Sequence, residues 1–251
     1  MITTLMLASL ALQDRVEWKI GEDTRTALVY APSKKADGAP PLVFGFHGHG
    51  GSSQNAAKSF RMHEEWPEAV VVYMQGLPTT GKTDPEGRKP GWQKIPGDYG
   101  DRDLKFFDAV LASMKERHAI DAKRVYATGH SNGGGFTYLL WATRGDTFAA
   151  VAPSAAGGGR LLRDAKACPT LHVAGEKDEV VPFEGQKLTI EAVRKLNGCE
   201  GDGKKWADGC TLYESTKGAP VVTFVHGGTH KYPGEAPPLI VRFFKEHART
   251  E

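Results

Sequence analysis

The chain has 251 residues, 40% of them hydrophobic and 25% charged. These proportions supply a core for one large α/β domain, or at most two small ones, and exclude a chain dominated by disorder. The formal net charge of +2 comes without a long Lys/Arg block, so charge gives no support to a nucleic-acid partner or an anionic membrane surface.

In chain order, residues 2–12 come first and read Ile-Thr-Thr-Leu-Met-Leu-Ala-Ser-Leu-Ala-Leu, with no charge. The run is too short to span a bilayer, so no membrane insertion is expected. It lacks a positively charged start, yet Ala8, Ser9 and Ala11 sit where a cleavage point would fall. We read residues 1–13 as a short or truncated signal peptide or an N-terminal tail, and 14–251 as a single domain. A secreted or periplasmic location follows from that reading.

Strand-like runs then occur at 16–20, 27–30, 42–46, 70–74, 124–128, 148–152, 170–174 and 221–225. Several are apolar throughout, as strands buried on both faces must be. Between them lie helical patterns. Residues 103–118 place Leu104, Phe107, Leu111 and Met114 on one face, and 132–143, 184–196 and 239–247 read likewise. Alternation of this kind predicts an α/β protein with a mostly parallel central sheet and helices on both faces. Residues 76–100 and 198–209, rich in Gly, Pro and polar side chains, read as long loops. In the second, Cys199 and Cys210 are spaced to staple a segment too polar to hold itself by apolar burial, and a disulfide is expected there. Cys168, before Pro169, reads as a buried unpaired thiol.

The most specific signal is Gly129-His130-Ser131-Asn132-Gly133, a G-x-S-x-G pentapeptide between a strand-like run and a helix-like run. That is the strand–turn–helix setting of a nucleophile elbow in the α/β-hydrolase fold, with Ser131 exposed at the carboxyl end of the sheet. A serine hydroxyl needs a base and an orienting acid, and in this fold they follow it in the order acid, then histidine. His230, on the loop after the last strand-like run, is the favoured base, with His226 at the strand end as runner-up. Asp178, after the run 170–174, is the favoured acid, with Glu176 and Glu179 as neighbours. Asp98, Asp101 and Asp103 precede the serine and fit the order poorly. The oxyanion donors expected are the backbone N–H groups of Asn132 and His49, with Gly50 open as an alternative to His49. Neither His47/His49 nor His226/His230 completes a metal site, because glycines break the helical spacing and no further ligands stand near. No metal and no organic cofactor is called for. Trp92, in Pro90-Gly91-Trp92-Gln93, reads either as an aromatic against substrate or as a pin holding its loop to the core.

Taken together, Phe46–Ser52 (F-H-G-H-G-G-S), Gly129–Gly134 (G-H-S-N-G-G), 175–182 (G-E-K-D-E-V-V-P) and 227–234 (G-G-T-H-K-Y-P-G) resemble the secreted polyhydroxybutyrate depolymerase and feruloyl/acetylxylan esterase family. The resemblance runs from about Leu42 onward. It implies an α/β-hydrolase fold, Ser131/Asp178/His230 as a triad, a disulfide-closed loop at Cys199 and Cys210, and ester substrates derived from polymers. Thr229 and Tyr232 depart from the family's usual Gly and Trp, and Tyr232 keeps an aromatic that could wall the substrate. The same residues leave open a serine peptidase or thioesterase on this fold, or a non-catalytic binding protein.

Overall fold

The computed structural model describes residues 13–250, so the residue 1–13 leader reading falls almost wholly outside the described residues. Two antiparallel strands, β1 (Gln13–Ile20) and β2 (Asp23–Tyr30), lead into β3 (Leu42–Phe46), the short helices α1 (Ser53–Phe60) and α2 (Met62–Glu65), and β4 (Val70–Met74). A two-stranded ribbon, β5 (Leu77–Pro78) with β6 (Pro90–Gly91), lies in the long loop before α3 (Arg102–His118). Then come β7 (Val125–His130), α4 (Asn132–Arg144), β8 (Ala150–Ser154), β9 (Thr170–Gly175), α5 (Phe183–Asn197), β10 (Lys204–Ala207), β11 (Cys210–Tyr213), β12 (Val221–His226) and α6 (Ala236–Lys245).

Ten of these strands form one sheet in the order β1-β2-β4-β3-β7-β8-β9-β12-β11-β10. The six central strands, β4 to β12 in that order, are parallel, and an antiparallel pair closes each edge. The residues of β3, β4 and β8 are buried without exception, which is why these segments read as continuous apolar runs rather than alternating ones. Alternation reappears in which face each residue serves. Leu42, Phe44, Phe46, Val70, Val72 and Met74 pack with Leu104, Phe107, Phe136 and Val193 of α3, α4 and α5. Val43, Val71 and Tyr73 pack on the other side with Ala56, Phe60, Met62, Ile240 and Phe243 of α1, α2 and α6.

The chain moves outward from β3 to β4, then crosses back to β7 on the other side of β3. This reversal opens a crevice beyond the carboxyl ends of β3 and β7, the place where open α/β sheets bind ligands.

Two expectations need correction. The 198–209 segment is not structureless, because β10 lies within it and pairs with β11 to form the sheet edge. Its cysteines are also free thiols. Cys199 packs in the cluster on the α3/α4/α5 face, whereas Cys210 on β11 packs in the cluster on the opposite face. The sheet therefore stands between them, and the pairing of β10 with β11, rather than a covalent staple, ties down the otherwise exposed segment. Cys168 is buried and free, as expected, and burial pushes its thiol up to about 12.

Candidate active site

The nucleophile candidate sits on a backbone that only its neighbours make feasible. Ser131 has φ 58° and ψ −120°, a sharp turn between β7 and α4 that its N–H helps fix by donating to the Ser154 carbonyl at 2.8 Å. A Cβ at Gly129 would overlap the Gly133 carbonyl, and one at Gly133 would overlap the Phe46 carbonyl. Glycine at both positions thus lets strand, turn and helix come together.

The structure brings Ser131, His230 and Asp178 into one line. His230 Nε2 lies 2.8 Å from Ser131 Oγ, and His230 Nδ1 lies 2.8 Å from Asp178 Oδ2. The imidazole is partly exposed while the Asp178 side chain is fully buried. Asp178 follows β9 and His230 follows β12, two adjacent parallel strands, so both side chains arrive at the same end of the sheet as Ser131. Asp178 Oδ1 accepts the backbone N–H groups of Val180 and Val181 at 3.0 and 2.9 Å. Oδ2 accepts Gln186 Nε2 at 3.1 Å besides the imidazole. His226 is not drawn in: its Nδ1 accepts the Gly228 N–H at 3.2 Å. Glu176 and Glu179 are exposed. Asp103 is buried elsewhere, paired with Arg25 at 2.8 Å.

His130 packs against His230 with ring centroids 5.0 Å apart and meets Ser154 Oγ through Nδ1 at 3.1 Å. Burial pushes it down to about 4, so at neutral pH it adds no charge beside the His230 ring.

The loop after β3 curls over Ser131. The Gly50 N–H is spent on the Pro90 carbonyl at 2.7 Å and the Gly51 N–H on the Gly48 carbonyl at 3.0 Å. Among the described residues no protein acceptor takes the His49 N–H or the Asn132 N–H. His47 anchors this loop from below, its Nε2 accepting the Gly76 N–H at 3.0 Å and its Nδ1 donating to the Gly48 carbonyl at 2.8 Å. The His49 ring reaches Asp84 at 3.1 Å.

Trp92 is not a substrate contact. It is fully buried, its Nε1 donates to the His47 carbonyl at 2.9 Å, and its ring stacks on Phe136 with centroids 5.1 Å apart. The Asn132 side chain clamps the Trp92 backbone from both sides, accepting its N–H at 2.7 Å and donating to its carbonyl at 3.0 Å. Trp92 thus ties the 76–100 loop to the nucleophile turn. Tyr232 is also absent from the pocket that holds Ser131. Its ring lies against Phe60 and His130, where it lines a separate groove behind the 47–51 loop.

The pocket holding Ser131 has a volume of about 360 Å³, within the size range of small-molecule sites. Leu161, Val180, Val181 and Ala156 give it an apolar wall, and Thr80, Thr83, Lys82 and Lys94 a polar rim. Sequence inspection did not find these lining residues, because they come from three separate loops and carry no motif. Among the described residues no group of three or more His, Cys, Asp or Glu could hold a metal ion.

A ten-stranded sheet of this order with a serine on a strained strand–helix turn is the α/β-hydrolase fold. The sequence profile of the prolyl oligopeptidase family matches residues 86–157, the stretch that contains the turn. An acetyl xylan esterase from Aspergillus awamori superposes with a TM-score of 0.67 at 15% identity, over 93% of this chain and 99% of that one. Feruloyl esterase B of Piromyces equi is 28% identical over 239 residues, 82% of this chain and 42% of that protein. Feruloyl esterase D of Neurospora crassa is 30% identical over 225 residues, which span 80% of this chain and 73% of the relative. The chain therefore belongs to the feruloyl esterase family. It spans about half the length of several curated relatives that it matches.

Proposed function

We propose that the protein hydrolyses carboxylic esters by acyl transfer through Ser131. The observation that carries this reading is the continuous contact Ser131–His230–Asp178, at 2.8 Å on each side of the imidazole. His230 Nε2 takes the Ser131 proton as Oγ attacks the ester carbonyl. Asp178, bonded to Nδ1, holds the productive tautomer and stabilises the imidazolium. The developing oxyanion rests on the N–H groups of Asn132 and His49. His49 is favoured over Gly50 because the Gly50 N–H is already bonded to Pro90, and each such donor contributes about 10²–10³ in rate. The imidazolium returns its proton to the departing alcohol, and water then cleaves the acyl-enzyme by the same steps. No step calls on a metal or an organic cofactor.

An acyl group with a flat apolar body and a polar end fits the wall of Leu161, Val180 and Val181 and the rim of Thr80, Thr83, Lys82 and Lys94. A feruloyl or acetyl ester of a plant polysaccharide is the natural-substrate reading most in keeping with the family. Hydroxybutyrate oligomers are the other polymer-derived ester to compare, and export from the cell accords with substrates too large to enter it.

The test is turnover of 4-nitrophenyl acetate and methyl ferulate by the wild type and by Ser131→Ala. We expect Ser131→Ala to lose at least about 10³-fold in kcat. A Ser131→Ala protein as active as the wild type would overturn the assignment.

A further inference from the structure

Behind Asp178 the hydrogen bonding does not stop. Gln186, in the first turns of α5, donates one amide hydrogen to Asp178 Oδ2 at 3.1 Å and the other to the Val181 carbonyl at 2.7 Å. Both partners only accept, so the amide nitrogen must face them and the amide oxygen must face the other way. There Oε1 meets His172 Nε2 at 3.3 Å. An amide oxygen only accepts, so that ring nitrogen carries the hydrogen. On the far side of the ring, Tyr138 Oη lies 2.6 Å from His172 Nδ1. A neutral imidazole protonated at Nε2 has a bare Nδ1, and the phenol donates to it. Every proton along Tyr138–His172–Gln186–Asp178 is thereby fixed in direction, each group pointing its donor toward the carboxylate. Gln186 and Tyr138 are fully buried and His172 is 1% exposed, so water has little access to substitute for any of them. Burial holds His172 neutral, pushed down to about 4.

We propose that Gln186, His172 and Tyr138 are positioning residues for the Ser131–His230–Asp178 site, forming a directional hydrogen-bond chain that orients the Asp178 carboxylate toward His230. The proposal rests on the esterase reading given above. The chain crosses the molecule from α4 through β9 to α5, tying the helix that follows the nucleophile to the loop that carries the acid. A carboxylate that accepts the Gln186 N–H shares less charge with the imidazole. Losing that donor leaves Oδ2 with the imidazole as its one partner and the carboxylate fixed by the Val180 and Val181 N–H groups at Oδ1 alone, which turns more of its charge on a protonated His230 ring and loosens the alignment of that ring. His130 lies against the imidazole with ring centroids 5.0 Å apart, and none of the variants below touches it.

The test uses Gln186→Met, which keeps shape and loses the donor, and Tyr138→Phe, which removes only the hydroxyl. With 4-nitrophenyl acetate, Gln186→Met is expected to lower kcat ten- to a hundredfold with KM within about twofold, and to move the acid limb of the kcat/KM–pH profile upward. Tyr138→Phe should shift both in the same direction by less, and Gln186→Glu should not restore the wild-type profile, because it puts a second acceptor against Asp178. Thermal melts separate these effects from unfolding. If Gln186→Met keeps the wild-type kcat and acid limb, the proposal is overturned. If Gln186→Met does not fold, Tyr138→Phe decides by the same two readouts. Nitrogen-15 NMR of the His172 ring gives a readout independent of turnover: a neutral Nε2–H tautomer at pH 7 is expected, and an Nδ1–H tautomer would overturn the chain even in a protein that hydrolyses no ester.

Discussion

At Ser131 a single residue carries strain that its neighbours absorb. Its φ of 58° lies in a region that side chains rarely occupy, and it persists because the Ser154 carbonyl and the two flanking glycines determine the turn from both sides. Of the three glycines that open α4, the first and third differ sharply. At Gly133 an added methyl would meet backbone, the Phe46 carbonyl, which cannot move without displacing β3. At Gly135, one turn into α4, nothing lies within 4 Å of the added methyl. Gly133→Ala should therefore cost about 3 kcal/mol or prevent folding, while Gly135→Ala should be neutral or stabilising by up to about 1 kcal/mol. Urea melts of the two variants check this, and equal midpoints would refute it.

Between elements, the site depends on how the 76–100 loop is held against β2, β4 and α3. Arg25 on β2 reaches Asp103 on α3 at 2.8 Å and the Gln75 carbonyl at 3.2 Å, with both charged side chains fully buried. Asp103 Oδ2 also accepts the Gln93 N–H at 2.8 Å, and Gln93 Oε1 in turn accepts the N–H of Asp103 at 3.1 Å and of Leu104 at 3.2 Å. This cluster seats Trp92, next to Gln93, and Trp92 supports both the 47–51 loop and Asn132. Asp103→Ala leaves the Arg25 guanidinium buried and unpaired, so a loss of about 3–5 kcal/mol is expected. Because the loop also forms one side of the pocket, kcat should fall at temperatures where the variant remains folded. Chemical denaturation beside steady-state kinetics tests both, and unchanged stability would show that the pair does not hold the loop.

For the molecule as a whole, several buried histidines set the response to acid. His47, His130 and His172 are each pushed down to about 4 by burial, from an ordinary value near 6.5. Between those values the unfolded chain binds protons that the folded protein refuses. The stability they confer is therefore complete above about pH 6.5 and is lost as pH falls toward 4, by at most about 3 kcal/mol for each histidine. Urea midpoints at pH 7.5, 6 and 5 should decline in that order, and a flat series would contradict the neutral state assigned to these rings.

The sequence alone determined what depends on neighbours in the chain. Segments 42–46 and 70–74 had to be doubly buried strands because every residue in them is apolar or small. The pentapeptide around Ser131 had to be a tight strand–helix turn because glycine flanks it at both required positions. Helix α1 escaped notice because its apolar residues are few, though Ser52, which caps Asn55 at 3.1 Å, was a legible start signal. What only the tertiary structure decided depends on which strands are neighbours. The order β9–β12 sets the loop after β12 beside Asp178, and on that loop His230 rather than His226 makes the contact. The sheet separates Cys199 from Cys210, and the crossing of the 76–100 loop buries Trp92. Gln186 and His172 show no motif, since a glutamine and a histidine fourteen positions apart acquire a relation only when α5 packs on β9. Local spacing fixes backbone conformation and the face a side chain takes. Long-range contact is set by sheet order and packing, which no short window of residues encodes.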